Sequence, residues 1–95
     1  MEKNKLNTND TLSRNPDAIF TEIDGETVIM SVEKGSYYGM NSVGGDIWSA
    51  LESPLTVSAL CESLAQIYDA DISTISEDVL PYLEKLLGEG LLLKK

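Results

Sequence analysis

Ninety-five residues with a formal net charge of −9, from seven basic and sixteen acidic side chains, make one small domain that repels nucleic acid and anionic membrane and favours basic partners. Histidine is absent, which removes Ser-His-Asp and Cys-His catalysis and imidazole-dependent zinc sites; the lone Cys61 has no internal disulfide partner and fits a reducing cytosol. An apolar content of 42% suffices for one core, but no run of about 18 apolar residues is present to span a membrane, and no apolar signal core opens the chain, so a cytoplasmic location is expected.

Residues 1–16 are rich in Asn, Thr, Ser, Asp and Lys, with Leu6 and Leu12 as the large apolar residues after Met1. They read as a flexible tail ahead of a domain over residues 17–95. Three strands follow. The first is expected near Ala18–Ile23. Asp24-Gly25 then supplies a two-residue hairpin turn of type I′, in which both central residues need φ > 0. The second strand is expected near Glu26–Glu33, and the turn sets Ile19 opposite Met30 and Phe20 opposite Ile29. Lys34-Gly35 makes the next turn, and the third strand is expected near Ser36–Met40. Both sheet faces carry apolar side chains, so the pattern leaves open which face the helices cover.

Three helical patterns come next. The first spans about Ser42–Glu52, capped by Asn41 or Ser42, with Val43, Ile47, Trp48 and Leu51 on one stripe and Gly44-Gly45 weakening its first turn. The second is capped by Thr56 and repeats Val57, Leu60, Cys61, Leu64, Ile67 and Tyr68 at helical spacing. The third begins near Ser73 and ends at Gly88 or Gly90, with Ile75, Val79, Leu83 and Leu86 on its stripe and Leu80 and Leu87 on a flank. Pro81 lies inside it, so either the helix starts late, at Ser76, or it kinks. Residues Leu91–Leu93 have the character of a terminal strand. The fold class is therefore α+β: a three-stranded antiparallel N-terminal sheet followed by three helices, in a winged helix-turn-helix-like arrangement.

Few residues offer chemistry. Asp69-Ala70-Asp71-Ile72-Ser73 opens like a calcium loop, but Thr74 and Leu80 stand where that loop needs Gly and Glu. Cys61 lies on an apolar stripe and reads as a small core residue. Trp48 reads as a core anchor. Gly44-Gly45 lacks a phosphate-loop frame. No cofactor and no metal is expected. The winged layout suggests DNA binding, yet the third helix would read the groove with Glu77, Asp78, Glu84 and Glu89 against Lys85 alone, and phosphate contacts need several cations. What stands out is the strand Ser36-Tyr37-Tyr38-Gly39-Met40 running into Asn41. If its outer side is unpaired, its N–H and C=O groups are free to accept another chain.

From Phe20 to Leu92 the sequence resembles the PqqD-like family of leader-peptide-binding proteins, the RiPP recognition elements. The likeness rests on Tyr38-Gly39-Met40-Asn41 with Ile47-Trp48 and Leu51; on Thr56-Val57 with Leu60 and Leu64; on Tyr68 and Asp71; and on Asp78-Val79, Tyr82-Leu83, Leu86 and Gly90-Leu91-Leu92. Free-standing members of this size are like those of lasso-peptide clusters and like the chaperone of pyrroloquinoline quinone biosynthesis. The resemblance implies a non-catalytic adaptor that takes the leader of a ribosomally made precursor as a strand beside the third strand and delivers it to a processing enzyme, such as a leader-cleaving protease; the alternative partner is a radical-SAM enzyme. Carried onto this chain, Tyr37, Tyr38, Gly39, Met40 and Asn41 would form the pairing edge. Val79, Leu80, Leu83 and Leu87 would form an apolar wall, with Glu84 as its polar rim. The alternative for Val79 and Leu83 is a role in the core alone.

Overall fold

A computed structural model describes residues 6–32 and 34–95. Over these described residues the chain is α+β, with two three-stranded antiparallel sheets and three helices. Its elements in order are β1 (Thr11–Arg14), β2 (Ala18–Ile23), β3 (Glu26–Ser31), β4 (Ser36–Met40), α1 (Ser42–Ala50), β5 (Leu55–Thr56), α2 (Val57–Tyr68), α3 (Ile72–Gly88) and β6 (Leu92–Lys94).

The sheet β2-β3-β4 forms as the Asp24-Gly25 turn requires. Both residues have positive φ, 52° and 81°, and Ile19 pairs with Met30 and Phe20 with Ile29. Strand β3 ends at Ser31, short of the expected boundary; Glu33 lies outside the described residues. Because paired residues share a face, three cross-strand rows point inward: Ala18-Ser31-Ser36, Phe20-Ile29-Tyr38 and Glu22-Thr27-Met40. The inward rows hold the core residues Ile29 and Met40, and Phe20 meets Trp48 of α1 edge to face with ring centroids 5.5 Å apart. The helices therefore cover the Phe20-Ile29-Tyr38 face.

The second sheet, β5-β1-β6, corrects the reading of the N-terminal residues. Residues 1–5 lie outside the described residues, but residues 11–14 are the central strand of this sheet. Leu12 is fully buried, and Leu6 joins the same core. Backbone bonds from Val57 and Ser58 at the start of α2 reach Asp10 O (2.9 Å) and Thr8 O (3.0 Å), and Asn15 N reaches Leu91 O (2.9 Å). Polarity along this stretch marks a strand whose few inward side chains do all its burying, rather than a chain with nothing to bury. Arg14 closes the junction between the sheets. Its guanidinium lies 4.8 Å from the centroids of both Phe20 and Trp48 and donates to Trp48 O from Nε (2.9 Å) and Nη2 (2.6 Å). A cation thus satisfies a carbonyl in the last turn of α1, where the helix dipole favours it. Desolvation lowers the Arg14 pKa from its ordinary value.

The caps follow the sequence. Asn41 Oδ1 accepts from Gly44 N (2.8 Å) and Thr56 Oγ1 from Ala59 N (3.1 Å). Helix α3 begins at Ile72, next to the expected Ser73, and continues through Pro81 as one helix, so it does not start late at Ser76. The carbonyl that proline leaves unpaired belongs to Glu77; both residues are exposed, so water satisfies it at low cost. Cys61 and Trp48 are buried in the core.

Truncating Leu12 tests the role of β1. Leu12→Ala should lower unfolding free energy by about 2–4 kcal/mol, the usual cost of emptying a fully buried leucine site, read from the urea midpoint at constant slope. A loss under about 0.5 kcal/mol would mean that β1 adds nothing to the fold.

Candidate functional site

Strand β4 is an edge. It pairs with β3 on one side and, among the described residues, with no strand on the other. Helix α3 lies alongside. Lys34 Nζ donates to Gly88 O (3.0 Å), Tyr38 Oη donates to Glu89 Oε2, and Tyr82 Oη donates to Met40 Sδ (3.1 Å). The start of β4 thus meets the end of α3, and the end of β4 meets its middle. Between them, where β4 turns into α1, a cleft of about 280 Å³ is lined by Asn41, Val43, Asp78, Val79 and Tyr82. Its floor is apolar, and one carboxylate stands at its wall.

Gly44 holds this corner open. A Cβ on Gly44 would run into Tyr82 Oη and the side chain of Met40, so the glycine that weakens the first turn of α1 also lets Tyr82 lie against it. Gly39 is a different case. A Cβ there would meet nothing within 4 Å, and its φ is ordinary; the fold of the free chain does not need glycine at this position. It leaves a notch in the outer row Thr21-Val28-Gly39, open to whatever lies beside β4.

The expected site residues separate into three groups. Tyr37, Tyr38 and Gly39 sit on the free edge; Tyr37 is 73% exposed with its side chain outward, and Tyr38 is half-buried facing α3. Met40 contributes backbone to the edge but its side chain is core, and the side-chain oxygen of Asn41 is engaged in capping α1. The expected wall residues of α3 fall on two faces of the helix. Leu83 is fully buried and Val79 is 4% exposed, lining the cleft only at its base. Leu80, Glu84 and Leu87 lie around the helix from Asp78 and Tyr82, since each residue turns about 100°. Glu84 accepts a bond from Leu6 N (2.9 Å), so that flank faces the N-terminal segment. Turned to β4 and the cleft are Asp78 and Tyr82 on α3 and Glu89 just past its end. Sequence reasoning passed over Val43, Asp78 and Tyr82 as site residues. The signal was the i, i+4 spacing of Asp78 and Tyr82 on α3, a polar-aromatic stripe beside the core stripe.

Among the described residues no group of His, Cys, Asp and Glu is placed to hold a metal ion, and no helix is long and apolar enough to cross a membrane. The donor bond to Glu89 is the first cause that raises the Tyr38 pKa above 10, and desolvation adds to it; desolvation alone raises that of Tyr82.

Comparison with known proteins identifies the arrangement. The family model for coenzyme PQQ synthesis protein D (PqqD) matches residues 26–92, and the chain belongs to this family. No curated protein sequence matches. Of solved structures, TbiB1 in complex with the TbiA(beta) leader peptide is 28% identical, with a TM-score of 0.77 over 84% of this chain and 93% of that one. The solution structure of the PqqD truncation of Methylobacterium extorquens PqqCD, a stand-alone RiPP recognition element, is 22% identical and superposes with a TM-score of 0.81 over 98% of this chain and 99% of that one. The chain shares the fold of both structures.

The Tyr38–Glu89 bond gives a pH test. A raised folded-state pKa means that the stabilisation is complete below the unfolded tyrosine's value near 10 and is lost as pH climbs through the higher folded value. Absorbance at 295 nm should show Tyr38 titrating above free tyrosine, and Glu89→Gln should bring it down. An unchanged titration in that variant would show that the bond is absent in solution.

Proposed function

We propose that the chain captures the leader segment of a ribosomally made precursor peptide as a strand added to β4, and presents it to a separate maturation enzyme. The observation that carries this reading is the free edge of β4 running beside an apolar cleft. An added strand would gain main-chain bonds from the edge, while alternate side chains point inward to the cleft at Val43, Val79 and Tyr82. The leader-bound state of TbiB1 supports it. Gly39 would admit a bulky guest side chain on the outer row. Asp78 would hold a basic leader residue at the cleft wall, in the role first expected of Glu84.

The adaptor is non-catalytic and acts in the cytoplasm. Its partner is a leader-cleaving protease of lasso-peptide maturation; holding the leader raises the local concentration of the cleavage site at that enzyme. The family description favours a second reading, a peptide chaperone for a radical-SAM enzyme as in pyrroloquinoline quinone biosynthesis. The layout of a winged helix-turn-helix is here put to peptide capture; the acidic α3 argues against DNA.

Proline at position 37 or 38 tests strand addition, because alternate N–H groups of a strand point to opposite sides. The variant that loses the outward N–H should bind its leader peptide about 5- to 150-fold more weakly, the equivalent of about 1–3 kcal/mol. Equal affinity in both folded variants would sink strand addition. A second pair of variants locates the groove. Asp78→Lys should weaken leader binding several-fold, whereas Glu84→Lys should lower stability and leave affinity unchanged; the reverse result would move the groove to the other flank of α3.

A further inference from the structure

The apolar stripes of α2 and α3 both run on past the core. On α2 the buried series Val57, Leu60, Cys61 and Leu64 continues at the same spacing to Ile67 and Tyr68. On α3 the series Leu83 and Val79 continues back through Ile75 to Ile72. Yet Ile67, Tyr68 and Ile72 are 56%, 38% and 43% exposed, and every residue from Gln66 to Thr74 is exposed. Apolar side chains grouped on a projecting corner mark an interaction surface.

Charge, size and position identify the occupant. From Gly35 to Glu84 the chain has eight acidic residues and no Lys or Arg. Three of the eight frame the corner: Asp46, which accepts from Tyr68 Oη, and Asp69 and Asp71 in the turn. Asp71 stands at the N-cap of α3 but makes no side-chain cap bond, so its carboxylate is not spent on the helix. A second copy would set two acidic rims against each other, and an anionic membrane would be repelled. Three side chains are too few for a folded partner, since a stable interface takes roughly 800 Å² from each side. They suit a few residues of an extended chain. The cleft beside β4 leads to them. Val43 on its wall is one turn of α1 from Asp46, and Val79 at its base is one and two turns of α3 from Ile75 and Ile72. From Tyr82 back to Ile72 the helix rises about 15 Å, which about five residues of extended peptide span.

We propose that the captured leader does not end at the cleft: a basic segment next to its strand crosses the α2–α3 corner. An apolar side chain of that segment rests on Ile67, Tyr68 and Ile72, and Lys or Arg beside it meets Asp46, Asp69 and Asp71. The inference rests on the leader-capture reading. It adds a second, charge-selective contact with the same guest, made at high effective concentration once the strand is in place.

The test uses the full chain and its fluorescein-labelled leader peptide, whole and shortened stepwise from each end. Ile67→Ser/Ile72→Ser removes the apolar contact at exposed positions. Asp69→Asn/Asp71→Asn removes charge and keeps shape, since asparagine suits both the left-handed and the N-cap position. By fluorescence anisotropy, each pair should bind the whole leader about three- to tenfold more weakly than wild type. Shortening the leader from one end should cost the wild type a similar factor while exchange protection along β4 persists. That shortened leader should bind wild type and both pairs alike, the signature of a contact made by the removed segment. Unchanged affinity for the whole leader in either pair would overturn the proposal. So would a shortened leader that still tells the pairs from wild type, since the loss would then come through the fold. A wild-type dimer in sedimentation, dissolved by either pair, would overturn it in favour of a second copy. Failure of the wild type to bind the whole leader would instead overturn the capture reading and, with it, the corner contact.

Discussion

The fold hangs on a four-residue strand. Strand β1 lies between β5, the entry to α2, and β6, the exit from α3, so one short segment ties both ends of the helical half together. The same segment leads directly into β2, and Asn15 fastens that junction by donating from Nδ2 to Gly90 O at 2.7 Å. Arg14 adds the third tie, its guanidinium beside both the Phe20 ring of the sheet and the Trp48 ring of α1. The β2-β3-β4 sheet meets α3 and its C-terminal end through Lys34, Tyr38 and Met40, and the cleft lies where β4 turns into α1.

This arrangement separates what stabilises the chain from what is left available. Ile29, Ile47, Trp48, Leu60, Leu64 and Leu83 are among the core residues, while one edge of β4 pairs with no strand among the described residues. An open edge is an aggregation hazard that proteins usually blunt with charge, proline or a covering element. Here α3 stands beside the edge without pairing to it, and its Asp78 and Glu89 put negative charge at the approach. Under the leader-capture proposal, that charge would favour a basic strand over an acidic one. A selective opening of this kind suits a protein that must accept one class of peptide and refuse others.

Much of this was legible in the sequence, and the exceptions have physical causes. Asp24-Gly25 set the register of β2 and β3 because a two-residue turn admits one pairing, and Asn41 and Thr56 announced their helices because side-chain caps are local. Strand β1 was missed because Thr11-Leu12-Ser13-Arg14 presents a single apolar side chain, and a strand that short has no periodicity to read. On α3, spacing showed an apolar stripe with apolar flanks, but periodicity does not say which neighbour covers which flank. Leu80 and Leu87 looked like a wall for a guest; Glu84, on the same flank, instead meets Leu6, and the face beside β4 belongs to Asp78, Tyr82 and Glu89. Gly44 read as a weak point in α1, whereas its lack of a side chain makes room for Tyr82.

The central claim is that a guest strand lies against β4. Nuclear magnetic resonance of the isotope-labelled chain, titrated with unlabelled leader, tests it most directly. Strand addition predicts exchange protection gained at alternate backbone amides from Tyr37 to Asn41, with new cross-strand contacts from those residues to the leader backbone. Leader binding that leaves the β4 amides unprotected and produces contacts elsewhere would contradict the account.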